Sequence, residues 1–254
     1  MRIVSLCPSL TELVFDLGGG DALVGRTKFC VHPADRVTAV EAVGGTKNPK
    51  LDRIVALRPD LVLLNAEENR EEDARALERA GVRLHVSMPR TVPETAAMVR
   101  DIATAIGATA AGEDIARDIE ARAARVHNAA RGAAPVRYAY LIWREPWMTV
   151  NDDTFIAHLL ALPGGVNAFG GAPERYPTIT LDALREAAPD VVLLSSEPFP
   201  FGARHVEELS STLGWARERL CLVDGERLSW HGSRTPAGID LAESVIAGVR
   251  ATPR

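Results

Sequence analysis

The chain contains one pattern twice, and this repeat limits the folds open to it more than any other feature. The segments are "LDRIVALRPDLVLL" at 51–64 and "LDALREAAPDVVLL" at 181–194, which match at seven of fourteen positions and lie 130 residues apart. Each segment reads as a short amphipathic helix, a Pro-Asp turn and a continuous apolar run. Because 254 residues suffice for two domains of ordinary size, the repeat predicts two similar lobes.

Short apolar runs alternate with helical patterns along both halves of the chain. Continuous runs, without a polar residue at every second position, are typical of strands buried on both faces of a parallel sheet covered by helices. We therefore predict an α/β fold with two Rossmann-like lobes and mainly parallel sheets. The predicted strands lie at 2–6, 61–65, 82–86, 137–143, 191–195 and 219–223.

A strongly helical region separates the two halves. The stretch "AAGEDIARDIEARAARVHNAARG" is rich in residues of high helix propensity and predicts one long helix. Its apolar residues recur at three- and four-residue steps, which gives one stripe along the helix: Ile115, Ile119, Ala123 and Val126. The predicted organisation is an N-terminal lobe at 1–108, a linking helix at 109–134 and a C-terminal lobe at 135–254.

Composition and motifs exclude several classes of function. The net charge is −5 and no basic run is present, so nucleic-acid binding is not expected. No catalytic motif of the hydrolase, phosphate-loop or zinc-protease kind occurs, and we predict that the protein is not an enzyme. An odd number of cysteines, three, cannot form a complete disulfide framework. The chain runs from its start into a strand pattern without a signal peptide, which predicts a cytoplasmic protein or one whose signal has been removed.

Ligands of parallel α/β sheets bind beyond the carboxyl ends of the strands, and this rule selects a set of loops. Aromatic side chains in these loops would suit a planar macrocycle, and basic side chains there, including Arg90, Arg144 and Arg175, would suit anionic groups. The candidate ligand-binding residues are Lys28, His32, Lys47, Trp143, Trp147, Tyr176, Phe199, Trp230 and Arg234.

Histidines in these loops raise the question of direct metal coordination. His32 forms a Cys-x-His pair with Cys30, and His231 could add a second imidazole from the other lobe. One ligand from each lobe would allow axial coordination of a chelated metal. The alternatives are a surface or hydrogen-bonded role for each histidine, and a buried, apolar role for Cys30.

Several segments together resemble the class III, helical-backbone substrate-binding proteins of ABC importers for cobalamin, haem and ferric siderophores. The matching segments are "RIVSLCPSLTELVFDLG", "VGRTKFCVHP", "LDRIVALRPDLVLL" and the linking helix, with the cobalamin-binding branch most similar. The resemblance implies a ligand cleft between the lobes, no intrinsic cofactor, a monomer, and a periplasmic or cell-surface location. It also implies an ABC permease with its ATPase as partner.

The resemblance also assigns roles to individual residues. Trp147 and Tyr176 match ligand-contacting aromatic positions, and His32 lies where the cobalamin-binding branch has a tyrosine. Asp52 and Asp182 match the acidic pair that docks on the permease. The physical alternative for both aspartates is stabilisation of a helix N-terminus, where a negative charge opposes the helix dipole.

Three functions remain open at this stage. The first is capture of cobalamin or a related metal chelate for an importer. The second is a cytoplasmic corrinoid or metal-chelate carrier, or a chelatase-like protein, in which His32, Cys30 and His231 would do the work. The third is a pair of binding lobes adapted to sensing or protein interaction.

Overall fold

The computed structural model describes residues 1–252, so the last two residues of the predicted C-terminal lobe lie outside the described part. By their contacts, the residues form two compact units, each of which contains segments distant in the sequence. Unit 1 consists of 1–89, 93–118 and 231–234. Of the described residues, unit 2 contains 90–92, 119–230 and 235–252. The lobe boundaries predicted from the sequence stay a prediction.

Unit 1 is built on a four-stranded parallel sheet in the order β2-β1-β3-β4. Strand β3 begins and ends at the predicted residues, and its side chains are all buried, as the continuous apolar run indicates. The strands are β1 (Ile3–Ser5), β2 (Leu23–Arg26), β3 (Leu61–Asn65) and β4 (Leu84–Ser87). The helices are α1 (Pro8–Asp16), α2 (Leu51–Ala56), α3 (Glu71–Arg79) and α4 (Val92–Ile106), with 3₁₀ turns at Gly20–Ala22 and Val37–Ala39.

The long helix predicted from composition is present as α5 (Thr109–Ala129). Of the predicted stripe, Ile119 and Val126 are buried and the other two members are half-buried. The division between the two units falls inside this helix, after Asp118. Within unit 2, Arg125 binds both carboxylate oxygens of Glu243 at 2.9 Å, which joins α5 to the last helix.

Unit 2 repeats the topology of unit 1, with a four-stranded parallel sheet in the order β6-β5-β7-β8. Val62 pairs with Leu84 in the first sheet, and Val192 pairs with Leu220 in the second, so the repeated segments occupy equivalent places. The predicted two-lobed α/β fold is confirmed. The strands are β5 (Val136–Leu141), β6 (Gly165–Asn167), β7 (Val191–Ser195) and β8 (Leu220–Val223). The helices are α6 (Phe155–Ala161), α7 (Leu181–Ala187), α8 (Ala203–Leu213), α9 (Gly225–Ser229) and α10 (Thr235–Ala251), with a 3₁₀ turn at Arg217–Arg219.

Among residues 1–252, no helix combines the length and the apolar character that a membrane crossing requires.

Candidate functional site

The candidate residues lie where the strand-end rule places them. Most of them follow the carboxyl end of a strand or lie in the connection from that strand to the next helix, whereas His231 and Arg234 belong to unit 1 by their contacts and follow α9 of unit 2 in the chain. Lys28 and His32 follow β2, and Lys47 precedes α2. In unit 2, Trp143 and Trp147 follow β5, Tyr176 follows β6 and Phe199 follows β7. Trp230, His231 and Arg234 lie between α9 and α10.

In unit 2 the loop after β5 is a tight hairpin held by backbone hydrogen bonds. The Ile142 N–H donates to the Met148 carbonyl at 3.0 Å, and the Met148 N–H donates to the Trp143 carbonyl at 3.1 Å. The loop after β6 joins this hairpin, because the Ile179 N–H donates to the Trp147 carbonyl at 2.9 Å. The backbone therefore fixes both tryptophans at one edge of the sheet, independently of their side-chain contacts.

Four aromatic rings and one imidazole form a connected group in unit 2, here called the aromatic cluster (Trp143, Trp147, Phe199, Phe201 and His205). The Trp143 ring meets the Phe199 ring edge-on with centroids 5.7 Å apart, and Phe199 lies 4.8 Å from Phe201. Trp147 stacks on Phe201 at 6.0 Å. Trp147 and Phe199 pack against the hydrophobic core of unit 2, whereas Trp143 is 40 % exposed. Trp143 is thus the member whose ring surface is most open.

In unit 1 the loop after β2 presents an aromatic residue that sequence analysis did not single out. Phe29 is 51 % exposed, and the Lys28 ammonium lies 4.9 Å from the centre of its ring. The Lys28 backbone N–H donates to the Gly44 carbonyl at 2.8 Å, which fixes the loop. Phe29 lies within a loop that the strand-end rule selects, so its position in "KFCVH" and its residue type could have identified it.

Two buried asparagines organise the loops of unit 1. The Asn69 side-chain amide donates to the Leu6 carbonyl at 2.9 Å and to the Thr46 carbonyl at 3.0 Å. Its Oδ1 accepts from the Asn65 N–H at 2.9 Å. The Asn69 side chain therefore joins the loop after β1, the loop before α2 and the end of β3. Sequence analysis missed this role, although an asparagine at the end of a buried apolar run was visible at position 65.

His231 contacts one of these two asparagines, and its predicted metal role stays a prediction. Asn65 Oδ1 accepts from the Glu67 and Glu68 N–H groups, so the opposite side-chain atom is the amide nitrogen, which can only donate. This nitrogen lies 3.3 Å from His231 Nε2, which must therefore accept. Burial lowers the pKa of His231 to about 4, which keeps the ring neutral. In this arrangement the Nε2 lone pair accepts the hydrogen bond from Asn65.

The structure supports the alternative given above for Cys30, a buried side chain in place of a metal ligand. Its side chain is 1 % exposed, and its sulfur accepts a hydrogen bond from Thr11 Oγ1 at 3.0 Å. Burial raises the pKa of the Cys30 thiol, so the thiolate that binds metals is disfavoured. Within the described part of the chain, no three His, Cys, Asp or Glu side chains are grouped so that they could hold a metal ion. His32 is half-buried, and its predicted ligand role stays a prediction.

Three basic side chains of these loops have partners within their own unit. Arg144 makes a two-pronged contact with Glu208, with N–O distances of 2.7 to 3.1 Å, and Arg234 binds Glu12. Lys47 donates to a backbone carbonyl of the loop after β3, at 2.6 Å. Sequence analysis predicted local positive charge at this edge of each sheet. The ion pairs neutralise Arg144 and Arg234, and the predicted ligand-binding role of Lys28, Lys47 and Arg234 stays a prediction.

The two repeat aspartates lie at equivalent places but differ in their contacts. Asp52 and Asp182 both lie in the first turn of a short helix, α2 and α7, and both are exposed. Asp182 binds Arg185 at 2.6 Å, whereas no ion pair of Asp52 is found among residues 1–252. Their predicted docking role stays a prediction.

Known proteins share the sequence pattern and the fold of this chain. A family model described as periplasmic binding protein matches residues 3–217, most of the chain. The chain belongs to the periplasmic binding protein family. The vitamin B12-binding protein of Vibrio cholerae serotype O1 is 24 % identical over 249 residues, which cover 96 % of this chain and 87 % of that protein.

Solved structures of periplasmic binding proteins share the fold over nearly their whole length. The periplasmic vitamin B12-binding protein BtuF of Vibrio cholerae matches with a TM-score of 0.85 and 21 % identity, covering 99 % of this chain and 98 % of that one. The periplasmic haem-binding protein RhuT from Roseiflexus sp. RS-1, in its apo form, matches with a TM-score of 0.82 and 25 % identity, covering 98 % of each chain. These relatives are binding proteins by name, and the protein is a substrate-binding protein of the same family.

The pKa of His231 leads to a testable dependence of stability on pH. Because its folded-state pKa is about 4, against 6.5 for an ordinary histidine, the unfolded chain takes up the proton first as the pH falls. The contribution of the neutral His231 ring to the free energy of unfolding is therefore complete above pH 6.5 and is lost as the pH falls towards 4. The loss is about 2 kcal/mol, because the ring is partly exposed. We expect His231→Gln to remove this loss, because the glutamine oxygen can also accept from Asn65.

Urea unfolding at pH 7 and pH 4.5 measures this effect as the difference between the wild type and His231→Gln. His127→Gln, at an exposed position of α5, is the control and should keep the wild-type dependence on pH. Equal losses of stability for the wild type and His231→Gln would show that His231 titrates normally.

Proposed function

We propose that this protein captures cobalamin or a related metal chelate, such as haem or a ferric siderophore, and delivers it to an ABC importer. The observation that carries the proposal is the pair of exposed aromatic faces at the carboxyl ends of the strands, Trp143 in unit 2 and Phe29 in unit 1. The names of the relatives support it, since they bind vitamin B12 or haem. We also propose a periplasmic or cell-surface location, as the family name suggests.

Binding in this proposal is non-covalent. A corrin or porphyrin ring is broad and flat, and an aromatic side chain offers it a large contact area at a low cost in side-chain entropy. The hairpin hydrogen bonds fix the backbone of Trp143 before ligand arrives, which reduces the ordering needed on binding. The chelate is cargo and not a cofactor, and we propose no catalytic activity.

Titration followed by absorbance tests the proposal with cyanocobalamin, haemin and a ferric siderophore as probes. We expect saturable one-to-one binding of at least one of them with a Kd below about 10 μM, or about 7 kcal/mol. Absence of saturable binding for all three at this concentration would contradict the proposal. Sedimentation of the same samples would test the proposed monomeric state.

The permease is the proposed protein partner, and Asp52 and Asp182 are its proposed contacts. We expect Asp52→Ala combined with Asp182→Ala to reduce ligand uptake in cells about fivefold, since an exposed charge pair contributes on the order of 1 kcal/mol. Ligand affinity of the purified double variant should not change.

Asp101→Ala, at an exposed position of α4, is the matched control for this experiment. Uptake equal to the wild type in the double variant would exclude the two aspartates as the docking pair. A loss of uptake that is matched by a loss of ligand affinity would do the same, because it would place the defect in ligand binding.

The chelatase-like alternative depends on His32, Cys30 and His231 acting together. Two of these three side chains are occupied in the structure, since Cys30 is buried and protonated and His231 accepts from Asn65. No observation favours this alternative, and it is not proposed.

A further inference from the structure

Arg90 and Arg175 are both held by a carboxylate of the same unit, unit 2. Arg90 Nη1 lies 3.1 Å from Asp153 Oδ1, and Arg175 Nε lies 3.5 Å from Asp153 Oδ2. Arg175 Nε also donates to the Asp153 backbone carbonyl at 2.7 Å. A single aspartate therefore binds two arginines.

The same arrangement recurs at the other basic positions. Arg144 is held by Glu208 and by its neighbour Glu145, and these contacts raise the pKa of Arg144 further above its ordinary value. In unit 1, Arg234 binds Glu12, and both side chains are mostly buried. Ion pairs of this kind leave a guanidinium with fewer free N–H donors for a carboxylate or catecholate of a ligand.

The loops of unit 2 carry no excess of positive charge. The loops at 143–148, 174–177 and 195–201 contain two basic residues, Arg144 and Arg175, and three acidic residues, Glu145, Glu174 and Glu197. A site built to bind a polyanion concentrates unpaired positive charge, and these loops of unit 2 do not.

We infer that this protein selects chelates that carry no net charge over polyanionic chelates, because its own carboxylates neutralise the arginines at the strand ends. The inference rests on the proposed function and narrows it. Among the ligand classes proposed, cyanocobalamin is uncharged and carries carboxamide side chains, haem carries two propionates, and a ferric tris-catecholate is a trianion. The paired arginines provide structure and aromatic contacts, such as that of Arg175 with Tyr176 at 5.8 Å, in place of anion binding.

Asp153 is the residue through which the selection can be changed. Its side chain is 44 % exposed, so Asp153→Asn should fold, and the change removes the charge that both Arg90 and Arg175 bind. Glu208→Gln makes the same change at Arg144. Asp114→Asn is the control, because Asp114 pairs with Arg117 on an exposed face of α5, away from the strand ends.

Isothermal titration of cyanocobalamin, haemin and a ferric tris-catecholate into the purified protein tests the inference. We expect cyanocobalamin to bind at least about tenfold more tightly than either anionic probe. An anionic group of the ligand that finds no partner in the site weakens binding by about 1.4 kcal/mol, which corresponds to this tenfold ratio. Asp153→Asn should reduce this preference about fivefold, because it releases Arg90 and Arg175 from an exposed ion pair. Asp114→Asn should leave the preference unchanged.

The outcomes separate the two proposals. If either anion binds as tightly as cyanocobalamin, the inference on charge is wrong and the proposed function stands. An unchanged preference in both Asp153→Asn and Glu208→Gln would also overturn the inference, because the carboxylates would then not set it. If none of the three probes binds, the proposed function fails and the inference fails with it.

Discussion

Replacing Asn69 with alanine is expected to lower the free energy of unfolding of unit 1 by about 3 kcal/mol, because buried backbone groups lose their partners. Asn69 is 6 % exposed, and its side chain serves the Leu6 and Thr46 carbonyls and the Asn65 N–H. Each of these groups is left unpaired by alanine. Urea unfolding of the purified variant at pH 7 measures the loss.

Two further variants make the result specific. Asn69→Asp keeps an oxygen for the Asn65 N–H but places a second oxygen against two carbonyls, so it should destabilise at least as much as alanine. Asn128→Ala, at an exposed position of α5, should change stability by less than about 0.5 kcal/mol. A loss below about 1 kcal/mol for Asn69→Ala would mean that water replaces the amide.

The fold could be predicted from the sequence because its determinants are local. Strands β3 and β7 are continuous apolar runs bounded by turn residues, and both begin and end where the runs do. The strands that were missed, β2 and β6, are short and each contains a glycine. A Cβ at Gly25 would lie 2.9 Å from Leu57, so close packing requires glycine where strand propensity disfavours it.

The strand-end rule identified the loops of the candidate site, but it could not identify the partners of their side chains. Arg144 pairs with a residue 64 positions away, and Arg234 with one 222 positions away. Ion pairs this distant in sequence follow from tertiary structure and leave no periodic pattern. For this reason the sequence indicated positive charge at the loops, whereas the structure shows that Arg144, Arg175 and Arg234 are paired with carboxylates.

The same limit applies to His231. Its neighbours in the sequence, "SWHGSR", indicate only a polar loop. The contact that decides its chemistry comes from Asn65, 166 positions away. The sequence could therefore not show that His231 accepts a hydrogen bond from Asn65 at the end of β3.

Replacing Trp143 with alanine is expected to weaken ligand binding about thirtyfold, or roughly 2 kcal/mol, the loss typical of a central aromatic contact. Trp143 is 40 % exposed and meets Phe199 in an edge-on contact, so part of its ring surface is open to a ligand. The hairpin should survive the change, since the hydrogen bond from Met148 to residue 143 involves backbone atoms. Trp143→Phe should retain most of the affinity.

Trp215→Ala supplies the matched control for this experiment. Trp215 is also a half-buried tryptophan of unit 2, packed under Arg219 at 4.1 Å, but it precedes β8 and so lies at the amino end of that strand. Affinity measured by titration with the probe that binds the wild type should fall for Trp143→Ala and remain within about twofold for Trp215→Ala, because only the carboxyl ends of the strands carry ligand-binding loops. Equal affinities for Trp143→Ala and the wild type would remove Trp143 from the site, and the exposed Phe29 would then be the aromatic face to test.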